Sequence, residues 1–359
     1  MKYKQQIHRA HISRLFTKKT VALLACIVVV LASFAFIMQP SSIHPGPPKN
    51  GFSIIQITDT QYLPQSYPTL YDNLTHWIVA NNKFWNVSMV IHTGDIVNVA
   101  DDKVQWQNAN DAMMTLYNAG IPYCWCAGNH DLVGDLVGRE PNNYTYLGSN
   151  YPAFNPDHMS DKSYWVDSIY HGTSTAVKFR FGNIRFAVVD VAYNANQTVL
   201  DWMQNIIHTN PDVNVIVATH NFLNGYAKYG SHSSNSNQYH NSTVDQTWAT
   251  NFQRIISGDS NVFMTLNGHD AGTGVSACLS EEYGQTEIFF NCQELYNQQG
   301  SVFARIYTFN MANAQFPKVN VNTVAGANIA NSSIHYGEYM SSVGEEPARF
   351  SFHPYLLKA

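Results

Sequence analysis

Five short apolar segments of this chain each end on a residue able to bind a metal ion. Ser53-Ile54-Ile55-Gln56-Ile57-Thr58 runs into Asp59-Thr60-Gln61, and Met89-Val90-Ile91-His92-Thr93 runs into Gly94-Asp95. Ile121 to Ala127 leads to Gly128-Asn129-His130-Asp131, Val213 to Thr219 leads to His220, and Val262 to Asn267 leads to Gly268-His269. Together they offer carboxylate and amide oxygens and neutral imidazoles. Hard cations such as Mn²⁺ accept oxygen, whereas imidazole suits zinc and iron. Two divalent ions held about 3.5–4 Å apart clamp the attacking and leaving oxygens of a phosphoryl ester. The chemistry to which this set points is metal-dependent hydrolysis.

The segments that carry these residues are short, buried in character and rich in β-branched side chains, the pattern of core strands. Ligands at the carboxyl ends of such strands converge on one edge of an α/β sheet. Gly94 and Gly128 let the backbone turn sharply beneath them. Between the strands, Leu70, Leu74, Trp77 and Ile78 sit at helical spacing, as do Met113, Leu116 and Tyr117, with Gly120 placed to stop that helix. Thr198 followed by Asp201 reads as a capping box ahead of Leu200, Met203, Ile206 and Ile207. Trp248, Phe252, Ile255 and Ile256 form another apolar face, closed by Gly258. A hairpin is predicted from Val177 to Phe181 and Ile184 to Val191, turning at Gly182-Asn183. Two more strands are expected between Glu287 and Phe309, and a last one over Val319 to Val324. Strands alternate with helices early and cluster late, which predicts an α/β fold of two mixed sheets packed face to face with helices outside.

The ends of the 359-residue chain differ from its middle. Residues 1–20 carry Lys2, Lys4, Arg9, Arg14, Lys18 and Lys19 and no acid, and residues 21–38 follow without a charge. This pattern is that of a basic cytoplasmic segment and a transmembrane anchor, or of a signal peptide cleaved near Ser33-Phe34-Ala35. Either reading leaves the rest outside the cytoplasm. Residues 39–51, with Pro40, Pro45, Gly46, Pro47, Pro48 and Gly51, form a stiff spacer. A domain over 52–325 follows, then an irregular extension over 326–359 without an assigned role. The Ser-, Asn- and His-rich stretch 231–243 reads as a loop beside the site.

With the six basic residues of the first segment set aside, 14 Lys and Arg face 25 Asp and Glu, a formal charge of −11. Such a surface lacks the cations that hold long nucleic acids, so no nucleic-acid partner is expected. A small phosphorylated substrate remains compatible, because bound cations reverse the local field. Six Asn-x-Ser/Thr sequons, at Asn73, Asn86, Asn143, Asn196, Asn241 and Asn331, suit an extracellular chain. Cys278 and Cys292 flank a hairpin and could pair there, while Cys124 and Cys126 alternate on one strand and read as buried thiols. His92 reads as core, and Tyr62, Trp106, Trp125 and Tyr226 as packing or pocket aromatics.

The ordered set Asp59-x-Gln61, Gly94-Asp95, Gly128-Asn129-His130-Asp131, His220 and Gly268-His269 resembles the motifs of the calcineurin-like metallophosphoesterases, in the branch whose first motif is Asp-Thr-Gln. Supporting stretches are Trp77-Ile78-Val79, Gly94-Asp95-Ile96-Val97, Ala119-Gly120-Ile121-Pro122-Tyr123 and Ala218-Thr219-His220-Asn221. The similarity runs over residues 52–325. It implies a four-layer αββα sandwich of two mixed sheets flanked by helices, divalent metal ions (Mn, Fe, Zn or Mg) numbering two, and attack on a phosphate ester by metal-bound hydroxide. By position, Asp95 would bridge both ions, Asn129, His220 and His269 would complete one, and Asp59 with Gln61 would hold the other. His130 corresponds to the residue that protonates the leaving group, Asp131 to its orienting partner, and Asn221 to the outer shell. One departure stands out. The family's last motif runs Gly-His-x-His, and here it runs Gly268-His269-Asp270-Ala271. The missing imidazole belongs to the ion that already has Gln61 in place of His. Asp270, His232 and His240 are the possible substitutes. The expected function is an extracytoplasmic, membrane-tethered phosphoesterase acting on a mono- or diester. The competing expectation is a non-catalytic or single-metal binding protein on the same fold.

Overall fold

The computed structural model describes residues 50–134, 144–222, 246–269, 276–280, 286–291, 293, 302–311, 318–326, 334–335 and 348–349. The N-terminal anchor or signal segment, Asp270, Ala271, Tyr226, the 231–243 loop with His232 and His240, and the Cys278–Cys292 pairing lie outside what is described. Among the described residues no helix is long and apolar enough to cross a membrane.

Two mixed sheets carry the fold. In the first, β1 (Gly51–Ile57), β2 (Val87–His92) and β3 (Tyr123–Trp125) run parallel in that order. On the other side of β1, β13 (Val302–Asn310) and β14 (Lys318–Gly326) add antiparallel. In the second sheet, β8 (Ile184–Val191), β9 (Asn214–Thr219), β10 (Val262–Asn267) and β12 (Thr286–Asn291) are parallel neighbours. It is completed by β6 (Trp165–Ile169), β7 (Ser174–Phe181) and β11 (Ser276–Ser280), all antiparallel to their neighbours. The strands ending on candidate ligands are therefore the parallel ones, and β1, β9 and β10 are buried along their full length. That burial on both faces is what parallel strands require.

Alternation along β1 shows how each face is used. Phe52 and Ile54 enter the core between the sheets with Met89, Ile91, Val188, Ile216, Leu266 and Phe309. Ile55 and Ile57 face the opposite way, into a core shared with α1 (Tyr62–Ser66), α2 (Pro68–Trp85) and α3 (Lys103–Asn118). The outer face of the second sheet packs on α5 (Gln197–His208) and α6 (Gln246–Gly258) through Val189, Val217, Met203, Ile207, Phe252 and Ile256. Phenylalanines stack across the centre, Phe52 on Phe309 at 4.6 Å and Phe179 on Phe186 at 4.9 Å. The structure thus has mixed sheets with helices on their outer faces.

Local signals explain most boundaries. Asp102 caps α3 by accepting from the Val104 and Gln105 amides, and Gly120 ends it with φ +71°. α5 corrects the sequence expectation: its cap is Asn196, whose side chain accepts from the Val199 amide, and Thr198 already lies inside the helix. Asn196 has the extended backbone (φ −71°, ψ 174°) that a capping residue needs. The segment before β6 holds structure that its irregular sequence pattern hides. β4 (Leu132–Gly134) pairs with β5 (Tyr144–Tyr146), and 3₁₀ turns at 148–150 and 152–154 lead to a short helix, α4 (Pro156–Met159). Trp106, Trp125 and Phe154 pack there, so both tryptophans are core rather than pocket lining. Their indole N–H groups donate to the Ala100 and Gly172 carbonyls, each at 2.8 Å. Two short strands of the C-terminal extension, β15 (Ile334–His335) and β16 (Ala348–Arg349), pair with β14.

Candidate metal centre

The carboxyl ends of β1, β2, β9 and β10, with the loop after β3, meet at one place. Backbone hydrogen bonds hold them there: the Asp59 amide donates to the Gly94 carbonyl at 3.0 Å and the Gly268 amide to the His220 carbonyl at 3.0 Å. Asp59, Asp95 and His269 all adopt positive φ, at 50°, 52° and 79°. Left-handed backbone is uncommon for such residues, costs on the order of 1–3 kcal/mol each and clusters at functional sites. Two glycines provide room. A Cβ on Gly128 would lie 2.1 Å from Asp95 Oδ1, and one on Gly268 would lie 2.2 Å from Asp59 Oδ2.

Four candidate ligand atoms converge around His220. Its Nε2 lies 3.0 Å from Asn129 Oδ1, 3.0 Å from His269 Nδ1 and 3.2 Å from Asp95 Oδ1. Its Nδ1 lies 2.8 Å from the Thr93 carbonyl, which can only accept, so Nδ1 carries a hydrogen and Nε2 is the nitrogen turned to the other candidate ligands, able to hold a cation in place of its own proton. Two nitrogens and two oxygens therefore crowd one point of a largely buried site. One proton satisfies a single contact among them, whereas a cation satisfies all of them. The donor set, two imidazole nitrogens, one carboxylate and one amide oxygen, fits a divalent transition metal. Among the described residues Asp95, His220 and His269 are the group of acidic or imidazole side chains close enough to share an ion.

Electrostatics report the same demand. Burial alone would raise the Asp95 carboxyl, but the charge and hydrogen bond of His220, with His130 and His269 nearby, hold it well below the usual carboxylate range. Burial opposes the charged form of His220, yet Asp95 and then Asp59 lift it to about 9. Burial, reinforced by Asp95, pushes Asp59 up to about 7.

Asp59 sits at the end of a buried polar relay. Thr58 Oγ1 donates to Asp59 Oδ2 at 2.6 Å, Thr93 Oγ1 to Thr58 Oγ1 at 2.7 Å, and Gln56 Nε2 to Thr93 Oγ1 at 3.1 Å. Tyr307 donates to Gln56 Oε1 at 2.5 Å. The His269 amide also donates to both Asp59 oxygens, each at 3.1 Å. Gln61 is buried and donates through Nε2 to Asp95 Oδ2 at 3.2 Å and to Gln293 Oε1 at 2.6 Å. Sequence reasoning missed Gln56, Thr93, Tyr307 and Gln293; the one hint was a glutamine on an otherwise apolar strand.

His130 lies beside the cluster, partly buried, with its amide on Asp95 Oδ1 at 3.0 Å and its Nδ1 2.9 Å from the Asn98 carbonyl. The expectation that Asp131 orients this imidazole needs correction. Asp131 Oδ1 and Oδ2 accept from the Val97 amide at 2.9 Å and the Gly128 amide at 2.8 Å, so the carboxylate braces the two loops and Asn98 orients the ring. Burial, then the Asp95 charge, raise Asp131 to about 6. Asn221 is buried, and neither atom of its amide has a partner among the described residues. His92 is core, its Nε2 2.9 Å from Thr60 Oγ1 and 3.0 Å from the Tyr71 hydroxyl. A cavity of about 750 Å³ between the β7–β8 hairpin and the end of α5 is lined by Lys178, Arg180, Arg185 and Ile206 and by none of the candidate ligands.

The chain is 29% identical over 223 residues to the uncharacterized protein YvnB of Bacillus subtilis strain 168, a match covering 62% of this chain and 16% of that relative. It therefore spans about a sixth of that relative's length. Among solved structures it is similar to the purple acid phosphatase PPD1 of yellow lupin, with 12% identity, coverage of 77% of this chain and 52% of that one, and a TM-score of 0.46. It is also similar to the 5'-nucleotidase of Candida albicans, with 12% identity, coverage of 73% and 48%, and a TM-score of 0.37. A family model described as calcineurin-like phosphoesterase matches residues 52–263, more than half of the chain and four of the five strands that carry the site. By that match, the chain belongs to the calcineurin-like phosphoesterase family.

Proposed function

We propose that this chain is a metal-dependent phosphoesterase that hydrolyses a phosphomonoester or phosphodiester outside the cytoplasm, tethered through its N-terminal segment. The observation that carries the hydrolytic reading is the convergence of Asp95 Oδ1, Asn129 Oδ1, His220 Nε2 and His269 Nδ1 on one buried point beside His130. The basic, then apolar, N-terminus and the sequons support the location. Asp95, Asn129, His220 and His269 would hold a divalent metal, which would supply positive charge for the phosphate oxygens and Lewis acidity for water. The chain's residues do the rest. The Thr93 carbonyl accepts from His220 Nδ1–H and so orients the ring with Nε2 toward Asp95, Asn129 and His269. His130 spends Nδ1–H on Asn98, which leaves Nε2 as the nitrogen able to deliver a proton to the leaving oxygen. Asp131 holds the loops bearing Val97 and Gly128 together, and so positions Asp95 and Asn129 relative to each other.

Asp95→Asn tests the reading, with hydrolysis of p-nitrophenyl phosphate and bis-p-nitrophenyl phosphate measured beside bound metal and the melting temperature. The expected result is loss of detectable turnover on both esters and of tightly bound metal in a protein that still melts cooperatively. Normal turnover in that variant would sink the proposal.

A further inference from the structure

The His130 ring is held by a backbone peptide and not by a side chain. Its Nδ1 lies 2.9 Å from the Asn98 carbonyl, which can only accept. That carbonyl belongs to the Asn98–Val99 peptide, and the N–H of the same peptide donates to Gln105 Oε1 at 3.1 Å. The Asn98 amide donates to the same oxygen at 2.8 Å. Gln105 lies in the first turn of α3 and is only 4% exposed. Its Nε2 donates to Asp102 Oδ2 at 3.0 Å, while Asp102 Oδ1 caps the helix. Turned over, the Gln105 amide would set its nitrogen against two N–H groups and its oxygen against a carboxylate, so the end that faces the loop is decided. The same helix turn grips the loop twice more. The Asp102 amide donates to the Val99 carbonyl at 3.0 Å, and the Trp106 indole to the Ala100 carbonyl at 2.8 Å. Val99 is 41% exposed, so its side chain gives this peptide little anchoring of its own.

A peptide group is planar, and fixing the direction of its N–H therefore fixes the direction of its C=O. We infer that Gln105 is a positioning residue for His130: acting through the Asn98–Val99 peptide, it sets the direction of the imidazole and so where Nε2 points. Hydrogen bonds at the two ends of one peptide also polarise each other, which strengthens the hold on Nδ1–H. The inference rests on reading His130 as the proton donor of a phosphoesterase.

The test uses the full chain, purified in detergent and supplied with Mn²⁺. Gln105→Leu removes the acceptor of both loop amides. Gln105→Glu keeps an oxygen for them but sets a second one against the Asp102 carboxylate. Adding Asp102→Asn to Gln105→Glu turns that repulsion into a hydrogen bond and keeps a capping oxygen. Nitrogen–proton spectra of isotope-labelled histidine read the ring, with His130 assigned by its loss in His130→Ala. Turnover of phenyl phosphate and p-nitrophenyl phosphate reads the chemistry. Wild type and the paired variant should show a protected His130 Nδ1–H, lost to exchange with water in Gln105→Leu. In Gln105→Leu, kcat on phenyl phosphate should fall at least about tenfold and on the activated nitrophenyl ester by less than about threefold, with KM and Mn²⁺ affinity unchanged. The paired variant should return to within about threefold of wild type on both esters. Should Gln105→Leu not fold, Gln105→Glu takes its place with the same readouts. Equal slowing of both esters would overturn the inference, as would an unchanged His130 signal in Gln105→Leu or a paired variant no better than Gln105→Glu alone. Wild type that turns over neither ester, with the ring signal changing as expected, would leave the positioning of His130 standing and remove the phosphoesterase reading.

Discussion

Gly128→Ala probes the site through a single methyl group. A Cβ there would lie 2.1 Å from Asp95 Oδ1, 2.3 Å from the Asp95 amide nitrogen and 2.9 Å from Asp95 Cγ, where ordinary contact begins at 3.4 Å. Gly128 is not among the residues with positive φ, so alanine meets no left-handed strain there and the effect argued is steric. The overlap exceeds 1 Å against a backbone atom and against the oxygen that sits 3.2 Å from His220 Nε2 and 3.0 Å from the His130 amide. Asp95 must therefore move by roughly the amount that costs about 10²-fold in rate when a reacting constellation is misplaced. Overpacking of this kind costs about 1–3 kcal/mol in stability. The assay pairs kcat/KM on a nitrophenyl phosphate ester with the affinity for Mn²⁺ and a thermal melt. Gly258→Ala serves as the control, since a Cβ there meets nothing within 4 Å. A Gly128→Ala protein with kcat/KM within about threefold of wild type and unchanged Mn²⁺ affinity would refute the argument, because the close approach would then not constrain Asp95.

His130→Ala should slow esters with poor leaving groups by about 10²–10⁴-fold and activated nitrophenyl esters much less, as loss of a general acid demands. Equal slowing across a series of leaving groups would remove that role. Asp190→Asn addresses stability. Burial, only partly offset by the Cys126 and Cys124 thiols and His220, lifts the Asp190 carboxyl from 3.8 to about 8. The unfolded chain releases this proton from about pH 4 upward and the folded chain only near pH 8, so wild-type stability falls across that window and levels above it. Asp190→Asn should lose that slope, which urea unfolding at pH 5, 6.5 and 8 measures. Identical slopes in the two proteins would show that Asp190 is not the titrating group.

Much of the site was legible because strand ends announce themselves locally. Apolar runs such as Val213 to Thr219 and Val262 to Asn267 stop at a polar residue, and the β7–β8 hairpin turns at Gly182-Asn183 where a tight turn needs them. The cap of α5 was misplaced by two residues because Thr198 and Asn196 are both good capping residues, and only backbone conformation decides between them. The stretch from Leu132 to Met159 offered no periodicity, since β4, β5 and its 3₁₀ turns are too short to display one.

The sequence alone determined which residues stand at the ends of which strands, because hydrophobic period and turn chemistry act over a few neighbouring residues. It also exposed the unusual Gln61 and Ala271, since a motif's spelling is a property of the chain. The tertiary structure alone decided what those residues touch. Asp131 reaches an amide 34 positions away instead of its neighbour's ring, Gln61 meets Gln293 across 232 positions, and Tyr307 joins Gln56 across 251. Such partners are chosen when two sheets close on each other, by the requirement that every polar group taken out of water find a hydrogen bond, and no local pattern in the chain encodes that choice.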